Sequence, residues 1–328
     1  MKCARRAWKS NIKGLKGEKQ TLTGTVVEEQ KNYYIVSIRQ CEQSGQPVQS
    51  GRLRCTVKGT LLNKKKLRIS AGDSVRVQVI NQDSAEGVIC EIKERASFLP
   101  RPPLANLSQV VFINCFKQPN LDTEAVDRFL FSSEAYGISA VIVFNKMDLL
   151  SDAETAELAA VERYYKDVGY KILHTSVPER QGISELVDIC RNKTSAFTGL
   201  SGVGKSSLLS LIFPDSEFRT SDVSGAHGRG THTTTHIKLL TLDENSFIAD
   251  TPGFAFVDVP AVDEDSVAEY FPEIRNVIGQ CRFNNCIHDA EPGCKVAESV
   301  DSGEIAAWRR EHYLKIYREM VSKRKKMY

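Results

Sequence analysis

Apolar and β-branched residues are concentrated in five short runs in the first third of the chain, a pattern that predicts short β-strands. Gly, Asn and Asp turns separate the runs. Five short strands in about 70 residues predict a small barrel, and the five-stranded barrel that most often binds nucleic acid is the OB-fold. Only Tyr33 and Tyr34 supply aromatic rings to the predicted sheet, so a purely structural barrel remains an alternative. The predicted strands are residues 23–28, 33–38, 52–57, 74–79 and 87–92.

The pattern changes after residues 99–103, where Leu-Pro-Arg-Pro-Pro predicts a linker. Beyond it, apolar strands alternate with amphipathic helices, which predicts a mostly parallel α/β sheet with ligand-binding loops at the strand ends. The predicted strands are 109–115, 140–144, 171–175, 195–198 and 246–249, and the predicted helices are 123–136, 153–168, 183–190 and 205–213.

From about residue 263 the pattern becomes helical, and it ends in a predicted helix at 305–321 and a basic tail. The sequence therefore predicts four segments. They are a basic arm (1–20), an OB-fold (21–98), an α/β domain (104–260) and a helical C-terminal domain with the basic tail (261–328).

The composition is that of a globular protein with room for two or three domains: 328 residues, 41% of them apolar and 26% charged. No run reaches the roughly 18 to 20 apolar residues that span a membrane, and the basic start is not followed by the apolar core of a secretion signal. These features predict a cytoplasmic protein without a membrane partner. The odd count of nine cysteines argues against a disulfide framework.

Charge is distributed unevenly along the chain. Residues 1–19 and 308–328 each carry a net +6, and the formal net charge of the whole chain is only +3, so the remaining body is acidic at −9. Two basic ends on an acidic body suggest a polyanionic partner, and RNA is the commonest one in the cytosol. The alternative is that the basic ends only keep the protein soluble.

The strongest chemical signal is the segment Gly-Leu-Ser-Gly-Val-Gly-Lys-Ser at 199–206, which matches the phosphate-binding loop (P-loop) and lies between a predicted strand and a predicted helix. In such a loop, successive backbone N–H groups surround the phosphates, Lys205 neutralises charge on the β- and γ-phosphates, and the Ser206 hydroxyl binds Mg²⁺. The predicted phosphate-binding residues are Gly199, Leu200, Ser201, Gly202, Val203, Gly204, Lys205, Ser206 and Ser207.

The tetrapeptide Asn145-Lys146-Met147-Asp148 follows the predicted strand 140–144 and selects the base. The Asp148 carboxylate can accept two hydrogen bonds from the ring N–H and the exocyclic amine of guanine, Asn145 serves the other edge, and the Lys146 stem packs on the base. Adenine offers no such pair of donors, so its binding would leave the carboxylate unpaired. We therefore predict GTP and GDP as ligands, and we add Ser176 to the predicted nucleotide-binding set.

Two further segments are expected to respond to the γ-phosphate. In Asp-Thr-Pro-Gly at 250–253, Asp250 would reach Mg²⁺ through water and the Gly253 N–H would sense the γ-phosphate, as in a second switch. The Gly- and Thr-rich segment 228–235 fits a first switch, whose threonine binds Mg²⁺ only when GTP is present. We favour Thr234 for that role, with Thr233 and Thr235 open.

Two features depart from the commonest GTPases. Phe254 occupies the position where many of them carry the glutamine that orients the attacking water, so intrinsic hydrolysis should be slow and another group must act. Our candidate is His232, and the predicted catalytic residues are Lys205, Thr234 and His232. The guanine segment also precedes the P-loop, which indicates a circular permutation of the domain. The second switch then leads almost directly into the C-terminal region.

The cysteines at the C-terminal side form a cluster with metal-ligand spacing: Cys281-x4-Cys286-x-His288-x5-Cys294. Three thiolates and one imidazole complete a closed tetrahedral shell, which predicts one structural zinc ion with no open position for catalysis. The alternative is a group of free buried thiols.

Taken together, these features resemble the RsgA (YjeQ) family, bacterial circularly permuted GTPases that depend on the small ribosomal subunit. The motifs are the OB-like barrel, the guanine segment before the P-loop, Asp-Thr-Pro-Gly and the Cys/His cluster, with Arg-Pro-Pro-Leu-Ala-Asn at 101–106 as a further likeness. The resemblance covers residues 22–321. It departs at Thr231, where family members usually carry arginine.

The resemblance implies a fold class: an α/β, circularly permuted P-loop GTPase domain with an N-terminal OB-fold barrel and a C-terminal helical zinc-binding domain. It also implies a factor that binds the small (30S) subunit and its 16S rRNA, assists late maturation, hydrolyses GTP on stimulation by the subunit and then dissociates. Neither DNA nor a membrane is expected as a partner, and the chain is expected to be a monomer.

Two other functions remain open at this point. A metabolic P-loop enzyme could transfer a phosphoryl group from GTP to a small molecule, although no extra segment is available to build an acceptor pocket and lid. A zinc-stabilised RNA-binding protein could use nucleotide only structurally, and Lys205 would then be dispensable for turnover.

Overall fold

The computed structural model describes residues 21–38, 51–59, 68–81, 84–100, 102–214, 237–250 and 260–325. These residues belong to two compact units. The first contains the described residues up to Ser108 together with 187–197 and 237–250, and the second contains 109–186, 198–214 and 260–325.

The first unit contains a closed five-stranded barrel. Its strands pair in the order β1-β2-β3-β5-β4, and β1 closes the barrel by pairing with β4 as well as with β2. This closed order confirms the predicted OB-type barrel. The strands are β1 (Thr21–Glu29), β2 (Tyr34–Ile38), β3 (Gly51–Val57), β4 (Ser74–Asn81) and β5 (Glu86–Ile92).

Strand β3 shows why this sequence forms a barrel. Its inward residues Leu53 and Cys55 are buried, whereas Arg52 and Arg54 point outward and are exposed. This alternation gives the barrel an apolar interior and leaves its outer surface charged. The barrel core consists of Leu22, Val26, Val36, Ile38, Leu53, Cys55, Ile69, Val75, Val77 and Ile89.

The segment after the barrel is more regular than its prolines suggest. Residues 99–103 were predicted as an irregular linker, and that prediction is wrong, because β6 (Phe98–Pro100) and β7 (Pro103–Ala105) form a two-stranded antiparallel sheet. Proline is tolerated in such an edge pair because few ladder hydrogen bonds are needed. Leu99 and Leu104 lie opposite each other and are buried, so apolar burial offsets the poor strand propensity.

Three more strands contribute to the first unit: β11 (Thr194–Gly199), through its residues 194–197, β12 (Lys238–Asp243) and β13 (Ser246–Asp250). Strand β13 runs parallel to β11 and antiparallel to β12. The sequence analysis did not predict β12, which is short and joined to β13 by a two-residue turn. Strand β12 also pairs with β1 of the barrel, through Glu28 and Lys238.

The second unit contains three parallel strands, β8 (Gln109–Asn114), β9 (Ser139–Phe144) and β10 (Lys171–His174). Every residue of β8 is buried, as expected for a parallel strand covered on both faces. The helices that follow the strands are α1 (Thr123–Ala135), α2 (Asp152–Val168), α3 (Ile183–Cys190) and α4 (Lys205–Ile212), in agreement with the predicted helices to within one residue.

In the C-terminal part of the second unit, helices precede and follow the Cys/His segment, residues 281–294. A 3₁₀ turn (Glu264–Tyr270) leads into α5 (Pro272–Arg275), and α6 (Lys295–Asp301) and α7 (Ala307–Lys325) follow the Cys/His segment. None of the helices among the described residues is long and apolar enough to cross a membrane.

Helix α7 is fastened to α1 and α5 by a buried charge cluster. Arg309 is only 1% exposed and donates to Asp127 and Glu273. Asp127 also accepts from Tyr165, and His312 Nδ1 lies 2.6 Å from its other oxygen. Arg309 was counted in the basic end 308–328, but its charge is paired inside the protein and is not available to a polyanionic partner.

Candidate nucleotide and metal sites

The P-loop joins β11 to α4, as the sequence predicted. Gly204 precedes the helix with φ of 92°, a left-handed conformation that favours glycine. A Cβ atom at this position would also lie 2.4 Å from Nδ2 of Asn145. Glycine therefore allows both the turn of the backbone and the close approach of the guanine segment.

The predicted phosphate-binding residues are arranged around this turn. Ser201, Gly202 and Ser207 are exposed, Val203 is buried, and Gly199, Leu200, Gly204, Lys205 and Ser206 are intermediate. Lys205 and Ser206 are the first two residues of α4, where backbone N–H groups lack partners within the helix. This end of the helix offers the donors that phosphate oxygens require.

Asn145 connects the guanine segment to the P-loop. Its side chain is buried, and its Nδ2 donates to the carbonyl oxygen of Val203 at 2.9 Å. Its Oδ1 accepts from the Thr175 hydroxyl at 2.9 Å. One amide thus holds three loops together, and the sequence analysis missed Thr175, which carries no recognisable motif.

Asp148 lies in the 3₁₀ turn Met147–Leu149, with its carboxylate exposed. The buried Ser176 donates from Oγ to Asp148 Oδ1 at 2.6 Å. The backbone of Ser176 exchanges two hydrogen bonds with Gln181, which fixes the position of the hydroxyl. The carboxylate is therefore held in one orientation while its other oxygen remains available to a ligand.

Lys146 occupies the turn between β9 and this 3₁₀ segment, with φ of 64°. Its ammonium group donates to the carbonyl oxygen of Gln118 at 2.6 Å. Met147 is half-buried, and its backbone N–H donates to Thr175 at 3.2 Å. These hydrogen bonds therefore restrain the position of the guanine segment.

The predicted switch residues lie mostly outside the described residues: Thr231, His232, Thr233, Thr234, Thr235, Gly253 and Phe254. The backbone of Asp250 is described, and it ends β13 in register with Phe197 of β11. Because the two strands are parallel, Asp250 lies at the carboxyl edge of this strand pair, where the ligands of open α/β sheets bind.

The Cys/His cluster brings four donor atoms together: those of Cys281, Cys286, His288 and Cys294 all lie within 4.8 Å of one another. The Sγ atoms of Cys281 and Cys294 are each 3.6 Å from His288 Nδ1. A tetrahedral zinc ion with Zn–S of about 2.3 Å and Zn–N of about 2.0 to 2.1 Å requires an S···N separation of about 3.6 Å. The donor set therefore fits a closed tetrahedral ion.

The surroundings of the cluster also suit a metal. Burial lowers the pKa of His288, which keeps the imidazole neutral and able to bind a metal. The backbone N–H of Lys295 donates to Cys281 Sγ at 3.3 Å. From α7, Arg310 donates to the His288 carbonyl oxygen at 3.0 Å and Tyr313 donates to that of Ile287, also at 3.0 Å. The cluster is thereby attached to the last helix.

The described fold and the order of its motifs define a circularly permuted P-loop GTPase, since the guanine segment follows β9 and the P-loop comes later in the chain, after β11. A profile of the RsgA GTPase family matches residues 92–260. This chain belongs to that family.

Similar proteins carry the same description over most of their length. The small ribosomal subunit biogenesis GTPase RsgA of Moorella thermoacetica is 42% identical over 252 residues, which are 77% of this chain and 85% of the relative. The crystal structure of YjeQ from Thermotoga maritima matches with a TM-score of 0.77 and 33% identity, over 92% of this chain and 99% of that one. The structure of YloQ, described as a circularly permuted GTPase, matches with a TM-score of 0.77 and 30% identity, over 94% and 99%.

Proposed function

We propose that this GTPase binds the small (30S) ribosomal subunit, assists its late maturation, hydrolyses GTP when the subunit stimulates it, and then dissociates. The observation that supports nucleotide binding most directly is the shared amide of Asn145, which joins the guanine segment to the P-loop. The subunit as partner rests on the names of the relatives, such as the small ribosomal subunit biogenesis GTPase of Moorella thermoacetica. Such a factor would work in the cytoplasm, as a monomer.

The residues have distinct roles in the proposed chemistry. Asp148, oriented by Ser176, accepts the two guanine donors, and the second N–H of the Asn145 amide serves the other edge of the base. Backbone N–H groups of the P-loop and Lys205 stabilise the charge that develops on the phosphates.

The metal and the attacking water require residues from three segments. We assign Mg²⁺ to Ser206, Thr234 and, through water, Asp250. Bound Mg²⁺ would neutralise charge on the β- and γ-phosphate oxygens. His232 is the candidate that orients the water, because Phe254 has no polar group to do so.

Two surfaces support binding of 16S rRNA. On the barrel, Arg52 and Arg54 are exposed, and the Arg54 guanidinium lies 4.1 Å from the centre of the Tyr33 ring. Beside the Cys/His cluster, Phe283 is 42% exposed and Arg282 lies over its ring. Arginine paired with an aromatic ring suits phosphates and unstacked bases. The cluster itself would hold one structural zinc ion.

The test is GTP turnover by the purified protein alone, with small subunits, with large subunits, and with ATP in place of GTP. We expect slow turnover alone and strong stimulation by small subunits with GTP. Turnover that is indifferent to ribosomes would contradict the proposal and favour a small-molecule acceptor. Lys205→Ala should abolish turnover, and retention of turnover would contradict the assigned phosphate site.

A further inference from the structure

The loop between β8 and α1, residues 115–121, contacts the guanine segment and approaches the P-loop. Its Gln118 carbonyl oxygen accepts from Lys146 Nζ at 2.6 Å. On its other side, Pro119 Cδ is 3.7 Å from the position a Cβ atom would take at Gly202 of the P-loop. A shift of this β8–α1 loop would therefore disturb the guanine segment and the P-loop together.

An ion pair connects the β8–α1 loop to the start of α2, the helix that follows the guanine segment. Lys117 Nζ lies 2.8 Å from Glu154 Oε1, in the first turn of α2. The other oxygen, Glu154 Oε2, accepts from the backbone N–H and the hydroxyl of Ser151, both at 3.0 Å. Ser151 follows the 3₁₀ turn Met147–Leu149 by two residues. The same loop thus holds the guanine segment at Lys146 and holds the chain three residues beyond the segment, at Ser151, through Glu154.

The Glu154 carboxyl group of this pair is ionised at neutral pH. The hydrogen bond from Lys117, followed by those from Ser151, lowers the pKa of Glu154 to about 2. The two side chains are 42% and 26% exposed, so solvent and salt weaken their attraction. A partly exposed ion pair of this kind influences the position of the β8–α1 loop and contributes modestly to nucleotide affinity.

We propose that Lys117 and Glu154 are positioning residues for guanine recognition. Their ion pair holds the β8–α1 loop so that the Gln118 carbonyl oxygen fixes the ammonium group of Lys146. The methylene stem of Lys146 is then kept where it packs on the base. This inference rests on the proposed role of residues 145–148 in guanine binding.

The experiment measures the affinity and the dissociation rate of a fluorescent GDP on the full chain. We expect Lys117→Met and Glu154→Gln each to raise the dissociation constant roughly two- to fivefold, mainly through faster dissociation. The double variant should lose no more than the larger single loss, because both changes break one interaction. Lys117→Arg should restore most of the affinity, and high salt should reduce the difference from the wild type.

A matched control is Lys323→Met, which breaks the Lys323–Glu319 pair of similar exposure, 47% and 31%, between two residues of α7. It should leave GDP affinity unchanged. The urea midpoints of all variants are measured alongside, since a purely structural pair would lower stability without a specific change in dissociation rate. Wild-type affinity in both single variants, or additive losses in the double variant, would overturn the inference.

Asp148→Asn separates this inference from the proposed function. Asparagine can donate to the second carbonyl oxygen of xanthine, so this variant should lose GDP and gain xanthosine diphosphate. If it binds GDP as the wild type does, the assignment of the guanine segment fails. If its preference changes while the Lys117 and Glu154 variants behave as wild type, only the positioning role fails.

Discussion

Replacement of Arg309 by methionine should destabilise the second unit far more than its position on a surface helix suggests. The guanidinium is 1% exposed and donates to Asp127 Oδ1 at 2.7 Å and to Glu273 at 2.5 and 3.1 Å. Methionine fills similar space but leaves two buried carboxylates without their cation. Removal of one partner from a buried ion pair typically costs about 3 to 5 kcal/mol.

The lower end of that range applies here. Asp127 retains the hydroxyl of Tyr165 and the ring nitrogen of His312, each at 2.6 Å, and these donors stabilise part of the orphaned charge. We therefore expect a loss of about 3 kcal/mol, which corresponds to roughly a hundredfold change in an equilibrium constant. The substitution also removes the cation–π contact of the guanidinium, which lies 4.7 Å from the centre of the Phe271 ring.

The assay is urea unfolding combined with hydrogen exchange of α7. The control is Lys315→Met, because Lys315 and Glu124 also join α7 to α1 but are partly exposed. That pair should contribute little to stability, because solvent and salt screen its attraction. Exchange in α7 should accelerate strongly for Arg309→Met and little for Lys315→Met. Equal effects of the two substitutions would refute the reasoning from burial.

Three further predictions follow from the described geometry. The purified protein should hold one zinc ion per chain; Cys294→Ser should lose it and Cys90→Ser, in the barrel, should keep it, as measured by metal analysis. Burial raises the pKa of Cys286 to about 12, so zinc binding must release protons and weaken as the pH falls. Zinc binding that does not depend on pH would contradict thiolate ligation. Gly182→Ala should destabilise the protein more than Gly137→Ala. Both glycines have positive φ, 70° and 63°. Only at Gly182 would the added Cβ atom meet a backbone oxygen, that of His174 at 1.8 Å. The Gly137 variant should lose about 1 kcal/mol from backbone conformation alone, and equal urea midpoints for the two variants would contradict the steric argument.

The elements were predictable because their signals are local. A period of two marks the barrel strands and a period of 3.6 marks the helices, and each is readable within a window of a few residues. The P-loop and the Cys/His cluster are equally local, since their chemistry requires particular residue types at short spacings. The linker prediction at residues 99–103 was wrong for the same reason. It rested on the low strand propensity of the prolines, whereas the burial of Leu99 and Leu104 arises only in the fold.

The sequence alone therefore determined the class of protein, through the order of its motifs, and it identified the four residues of the Cys/His cluster. The tertiary structure decided which side chains share a partner. The amide of Asn145 meets Val203 across 58 positions, and Arg309 meets Asp127 across 182. Such contacts depend on the path of the whole chain, and no local pattern of residues encodes them. From the sequence alone, Arg309 is expected at the surface, whereas in the fold it is the centre of a buried cluster of charged groups.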